Sequence, residues 1–506
     1  MPPRCAQCPA QVAPLNDGED WRPEDDAQYV TLARERFQSA LRIPTESYDD
    51  MALDPDADPR YAVFAEFHRF LERSFPLIHS HMKVEKVSKY GLLVTFEGSD
   101  SSLKPIVLMA HQDVVPVNEE TAALWTYPPY DATYDDEGWI WSRGTTDCKN
   151  TLIGILAAFE RLAATGFQPT RSIILSSGFD EELGGHRSAP QLARAIEERY
   201  GRNGVALIMD EGISGVFDAF NQTFVVFAVA EKGFMNVKID VRTPGGHSSV
   251  PLGPNTGIGI LSKLVTTLEE NAPQPNLDVG TPLLSFLDCA SRHGTVDRML
   301  KLLVRIPLTW GKLGKKIARK HPLMRAFITT AQSVTTSRGG LKMNALPETA
   351  TATVNYRIDF LSSIEATKSH ISTLLAPVVS SFNLTFDDFG TRPDVQQSVV
   401  RLSVVDGTAV EPAPLTPTHG PAWDFLAGTA RAVFDEAIVG PSGMIANTDT
   451  KWYWNTTENI FRWIPGRLEL MKNPHTVDER IHLDAHLSTI RFYHKMIVNS
   501  QSWRAP

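Results

Sequence analysis

At 506 residues the chain is too long for one ordinary hydrophobic core, so two domains, or one core carrying a large insertion, are expected. Hydrophobic residues make up 42% and charged residues 21%, which excludes a disordered or fibrous chain; a net charge of -10 offers nucleic acid no basic footprint. No long unbroken apolar run reads as a membrane span, and the opening MPPRCAQCPAQVAPLNDGED lacks the apolar stretch of a signal peptide.

Residues 1–60 are acidic and dotted with prolines, and read as an N-terminal arm with one helix at about 29–43. Apolar runs at 105–110, 172–177 and 205–209 then alternate with helical patterns at 152–163 and 190–200. Unbroken apolar strands between helices predict an α/β domain, its sheet mixed but mostly parallel and covered on both faces. From 231 to 242 the pattern alternates, with Val237, Ile239 and Val241 on one side, and Ala352, Val354, Tyr356 and Ile358 repeat it. Such alternation predicts a sheet buried on one face only. Residues 234–405 are therefore read as an inserted α+β lid or dimerisation domain, splitting the catalytic domain into 61–233 and 406–506. Pro412, Pro414, Pro417 and Pro421 crowd the return connection, and Thr476-Val-Asp-Glu479 has the capping-box pattern of a last helix starting near Asp478.

Three apolar strands run into polar turns: IVLMA into His111-Gln-Asp113, SIILSSGF into Asp180-Glu181-Glu182, and VALIM into Asp210-Glu-Gly212. A fourth polar segment, Trp141 to Asn150, ends just before a helical pattern and carries Asp147. Taken singly, each carboxylate is an ordinary turn residue. In open α/β sheets, however, ligands bind beyond the carboxyl ends of the strands, so these turns should converge. Converging carboxylates repel one another unless a cation compensates, and an imidazole beside them suits zinc. Asp147, Glu182 and Asp210 supply enough negative charge to call for two divalent ions rather than one.

Seven motifs in order carry a resemblance to a known family: AHQDVVPV at 110–117, SRGTTDCKN at 142–150, FDEELGG at 179–185, MDEG at 209–212, EKGF at 231–234, GGHSSVP at 245–251 and NTDTKWYWNTTENIFRW at 447–463. The chain resembles the M20 family of two-zinc peptidases over roughly 61–497, and within it the fungal Gly-Xaa carboxypeptidase, or carboxypeptidase S, branch. The resemblance implies that Asp147 bridges two zinc ions, that His111 and Asp210 complete one, and that Glu182 and His475 complete the other. It implies Glu181 as general base and Asp113 as the carboxylate that orients His111. It further implies that His247, sometimes from a partner subunit, approaches the oxyanion, and that Asn344 and Arg357 hold the substrate carboxylate. A homodimer through the inserted domain is part of the same expectation. So is a vacuolar setting, although with no anchor in view the cytosol and the exterior stay open.

Two other features read as bland. Cys5-Ala-Gln-Cys8 has zinc-knuckle spacing but no second ligand pair nearby, so a loose terminal dithiol is expected, and the four cysteines form no disulfide framework. From Arg298 to Arg325 nine lysines and arginines occur without an acid, beside an apolar stripe of Leu300, Leu303 and Val304; such a stretch can lie on an anionic membrane, but Pro307, Gly311 and Gly314 should break it, so a solvated or dimer-facing insertion is expected. The function expected is a two-zinc carboxypeptidase acting on short peptides. An N-acyl-amino-acid amidohydrolase with the same apparatus is the alternative, and a non-catalytic scaffold a remote third.

Overall fold

The computed structural model describes residues 8–18, 20–212, 215–250 and 253–504. Nine strands form the larger sheet, in the order Lys83–Val87, Gly91–Phe96, Ile173–Ser177, Ile106–Met109, Leu207–Asp210, Ile460–Arg462, Gln222–Glu231 and Ile438–Met444, with Val216–Ala219 paired to Gln222–Glu231. The four strands from Ile173–Ser177 to Ile460–Arg462 are parallel, and every residue in them is buried. Successive side chains leave a strand on opposite faces. Ile106 and Leu108 accordingly join the core under helices Lys149–Ala164 and Leu483–Asn499, whereas Val107 and Met109 join Ala189, Leu192 and Ile196 of helix Ala189–Tyr200 on the other face.

The second sheet has five strands in the order Ala331–Gly339, Thr349–Ile358, Gly233–Arg242, Val399–Val410 and Thr385–Asp387. Its alternation appears in strand Thr349–Ile358, where Ala350, Ala352, Val354, Tyr356 and Ile358 are buried under helices Gly257–Glu270 and Ile364–Ser381. Thr349 and the alternate residues beyond it stay partly exposed. The molecule is thus α/β with a second, one-sided α+β sheet, as the two hydrophobic periods predict. No helix among the described residues is long and apolar enough to cross a membrane.

The helix expected in the N-terminal arm is Ala27–Leu41, which buries Ala33, Phe37, Ala40 and Leu41 in the main core, with Phe37 stacked on His486. Two local expectations change. The last helix is Leu483–Asn499, opened by His482, whose Nδ1 accepts from the Asp484 N–H, so Thr476 and Glu479 do not cap it. Cys8 is not a free thiol either. It forms a disulfide with Cys289 of helix Pro282–His293, 281 residues away, and its N–H donates to Asp288. Cys5 lies outside the described residues. No spacing rule joins cysteines that far apart, which is why the pair was invisible in the sequence.

The disulfide is a bond that persists in oxidising surroundings. Under denaturing, non-reducing conditions the protein should show two titratable thiols rather than four. Cys289→Ser should lose about 2–5 kcal/mol of stability. Four reactive thiols in the unreduced chain would refute the link.

His486 is fully buried, its Nδ1 2.7 Å from Asn150 Oδ1, and burial pulls it down to about 3. Its ordinary value of about 6.5 applies in the unfolded chain, so as pH falls below 6.5 the unfolded state gains a proton that the folded state refuses. That contribution to stability is present above 6.5 and is lost as pH falls towards 3. Replacing His486 with Gln removes the group, so the stability gap between wild type and His486→Gln should narrow by about 2–3 kcal/mol between pH 7 and pH 4.5. A gap independent of pH, measured by denaturant unfolding, would contradict a neutral buried His486.

Candidate active site

The three turns converge. His111 follows strand Ile106–Met109, Asp180 to Glu182 follow Ile173–Ser177, and Asp210 closes Leu207–Asp210, all at the carboxyl ends of parallel strands. Asp147 comes two residues before helix Lys149–Ala164, and His475 lies in the turn between strands Met471–Lys472 and Arg480–His482. His111 Nε2 is 2.9 Å from Asp147 Oδ1, and His475 Nε2 is 2.8 Å from Asp147 Oδ2 and 3.2 Å from Glu182 Oε1. The two oxygens of one aspartate therefore face two different histidine–carboxylate groups.

Beside His111 the gathered donor atoms include Glu211 and not Asp210. Glu211 Oε1 is 3.4 Å from His111 Nε2, and the residues whose donor atoms gather there are His111, Asp147, Cys148 and Glu211. Asp210 at this position is what the family resemblance implies. Alternation sends neighbouring side chains to opposite sides, so only one of the pair can face His111. Asp210 instead accepts the Glu211 N–H at 2.8 Å and lies in register beside the buried Arg462. Cys148 Sγ is occupied by the backbone of His111, accepting from its N–H at 3.2 Å, and burial pushes the thiol well up, so it stays protonated.

Asp113 holds both sides of this centre. One of its oxygens is 3.2 Å from His111 Nδ1, and the carboxylate accepts the N–H groups of Glu181 and Glu182 at 3.1 Å each. The imidazole and the turn carrying two glutamates are thus referenced to one buried group. The Glu181 side chain makes no hydrogen bond or ion pair among the described residues.

Glu479, which sequence reasoning misread as a cap, is the support it missed. Fully buried, it pairs with Arg143 at 2.6 Å and accepts from the N–H and hydroxyl of Thr146 at 2.9 Å each, fixing the loop that ends in Asp147. A buried acid needs such partners. The signal available was an Arg and two Thr ahead of Asp147, with nothing to say which acid they meet.

Electrostatics describe a centre with surplus negative charge. Burial, with Glu211, Glu182 and Asp449 nearby, pushes Glu181 well above the usual carboxylate range. Burial and the Asp147 charge raise Glu211 to about 8, and burial raises Asp210 to about 6. Burial also opposes an ionised Asp147, but the hydrogen bonds from His111 and His475 hold it well down. The hydrogen bonds to Asp147 and Glu182 push His475 up to about 10. Asp210 Oδ2 and Asp449 Oδ1 are buried without a hydrogen-bond partner. The three carboxylates Asp147, Glu182 and Glu211 gathered with the imidazoles of His111 and His475 are hard oxygen and imidazole donors that fit divalent cations.

Of the three residues assigned to the substrate, two meet. Strands Gly246–His247 and Ala345–Leu346 pair, and the Ser248 N–H donates to the Asn344 carbonyl, so His247 and Asn344 are neighbours on an exposed edge. Arg357 sits apart on strand Thr349–Ile358, stacked over Phe234 with its guanidinium 4.7 Å from the ring centre. It donates to Asn447 Oδ1 at 2.7 Å, and Asn447 in turn binds Glu231.

The family model described as "Peptidase family M20/M25/M40" matches residues 107–499. The chain belongs to peptidase family M20. Carboxypeptidase S of Saccharomyces cerevisiae is 38% identical over 495 residues, covering 94% of this chain and 85% of that protein. N-fatty-acyl-amino acid synthase/hydrolase PM20D1 of Mus musculus is 31% identical over 487 residues, covering 94% and 88%. Among solved structures, the M20 family metallo-carboxypeptidase Sso-CP2 from Sulfolobus solfataricus shares the fold at TM-score 0.61 and 17% identity, covering 94% of this chain and 99% of that one. This M20 protein is a metal-dependent peptidase of the carboxypeptidase S-like kind.

Proposed function

We propose that the protein is a two-zinc carboxypeptidase that hydrolyses the amide next to a free α-carboxylate in short peptides. The observation that carries this reading is the Asp147 carboxylate, one oxygen on His111 and the other on His475. His111, Asp147 and Glu211 would hold one ion, and Asp147, Glu182 and His475 the other. Zinc bound there would supply Lewis acidity and a water whose pKa falls to about 7.

The chain's own residues do the rest. Glu181, unpaired and raised by burial, is suited to take a proton from the attacking water and deliver it to the leaving amine nitrogen. Asp113 keeps His111 in one orientation through Nδ1, so that Nε2 faces Asp147. Arg357 is the group suited to the substrate carboxylate. Its half-buried guanidinium makes one hydrogen bond, to a neutral amide, and no ion pair among the described residues, leaving its other N–H groups for a bidentate partner. Among the described residues no hydrogen bond or ion pair ties His247 or Asn344 to the carboxylate–histidine groups. That fits a histidine and an asparagine that complete the site across a homodimer, with a small peptide between.

A second reading, N-acyl-amino-acid hydrolysis, is favoured by the PM20D1 relative and needs the same carboxylate clamp. Turnover of an N-blocked Gly-Leu dipeptide is expected to exceed that of an N-fatty-acyl amino acid on zinc-loaded protein. A strong preference for the fatty-acyl substrate would replace the first reading with the second.

A further inference from the structure

The chain from Arg298 to Arg325 is interrupted at Pro307, as expected, but not at Gly311 or Gly314. It folds as three helices, Arg298–Arg305, Pro307–Lys320 and Pro322–Ala326. Pro307 and Pro322 stand in the first turn of their helices, where a missing N–H costs nothing. Gly314 is buried against Leu277, and Gly311 faces open space. The inner faces close a small core of Leu277, Leu284, Val304, Trp310, Leu313 and Ile328.

The outer face combines two properties. Its nine lysines and arginines form no salt bridge among the described residues, and all except Lys301 are exposed, on a chain whose net charge is -10. Among them stand large apolar side chains that the fold leaves in water: Leu308 at 95% exposure, Leu323 at 61%, Met299 at 60% and Leu302 at 54%. Leu308, Lys312, Lys315 and Arg319 follow helical spacing along one stripe, and Met299 and Leu302 are flanked by Arg298 and Arg305. Apolar residues set within a field of unpaired cations are the pattern of a surface that lies on an anionic bilayer, leucines in the acyl boundary and cations at the headgroups. A second copy of the chain is the poorer occupant, because a two-fold contact would press this cationic face against itself.

We propose that the Arg298–Ala326 face docks the protein peripherally onto an anionic lipid surface. The test uses the full chain with sedimentable vesicles of phosphatidylcholine, with or without phosphatidylserine. Wild type should pellet with the anionic vesicles at low salt, and salt should release it. Joint Lys312→Glu, Lys315→Glu and Arg319→Glu should weaken partitioning roughly a hundredfold. Joint Leu302→Asn and Leu308→Asn should weaken it roughly tenfold or more. All five side chains are exposed, so thermal stability and turnover of a soluble blocked dipeptide should not change. Equal binding to neutral and anionic vesicles overturns the proposal. A loss on charge reversal with none on leucine replacement overturns it in favour of a soluble acidic partner. A shift of the leucine variant from dimer to monomer, with vesicle binding intact, overturns it in favour of a second copy.

Discussion

Glu181→Gln should retain two metal equivalents while kcat falls by about 10²–10⁴-fold, with KM little changed. The reason is positional. Glu181 and Glu182 share one turn, held by the two oxygens of Asp113 through consecutive N–H groups, yet only the Glu182 side chain reaches His475. The Glu181 side chain has no hydrogen-bond or ion-pair partner to lose among the described residues, so an amide in its place should leave the histidine–carboxylate groups intact and remove only the proposed proton acceptor. The matched measurement is metal content by atomic emission beside steady-state kinetics on one preparation. Full activity in a variant that holds both metals would remove Glu181 as the base.

Asp147→Asn should have the larger effect, losing tightly bound metal at both positions and lowering kcat/KM by about a thousandfold or more. An amide presents one oxygen where the carboxylate presents two, and its NH2 would face a histidine nitrogen, His111 Nε2 or His475 Nε2. The neighbouring strand end sharpens the same experiment. Glu211→Gln should lose one equivalent, because Glu211 is the acid at His111, whereas Asp210→Asn should keep both. If Asp210→Asn loses an equivalent and Glu211→Gln does not, the geometry drawn for the first position is wrong. If Asp147→Asn retains two equivalents, the shared-carboxylate centre is wrong.

How far the sequence reached depended on whether a signal was local. The turns after Ile106–Met109 and Ile173–Ser177 were legible because a polar triplet closing an apolar strand is read within ten residues. Which of Asp210 and Glu211 faces His111 was not, because that depends on the side to which the strand end turns. Glu479 was misread because a Thr-x-x-Glu spacing looks the same whether the acid caps a helix or accepts from Thr146 and Arg143. Only the fold distinguishes the two. The basic stretch was legible in part: a helix does stop before Pro307, but Gly311 and Gly314, which composition alone counts as breakers, lie inside one unbroken helix, Gly314 packed on Leu277.

The sequence by itself determined the two hydrophobic periods, hence one sheet buried on both faces and another on one, and it placed His111 to Asp113, Asp180 to Glu182 and Asp210 in turns that close apolar strands. These follow from short-range order, where side chains alternate or recur at fixed steps along the chain. The tertiary structure decided everything that joins distant residues: Cys8 to Cys289, Glu479 to the Asp147 loop, and His475 to Asp147. Such pairings arise because a buried charge must find a partner and an apolar face must find cover, and the chain is compact enough to bring either from hundreds of residues away.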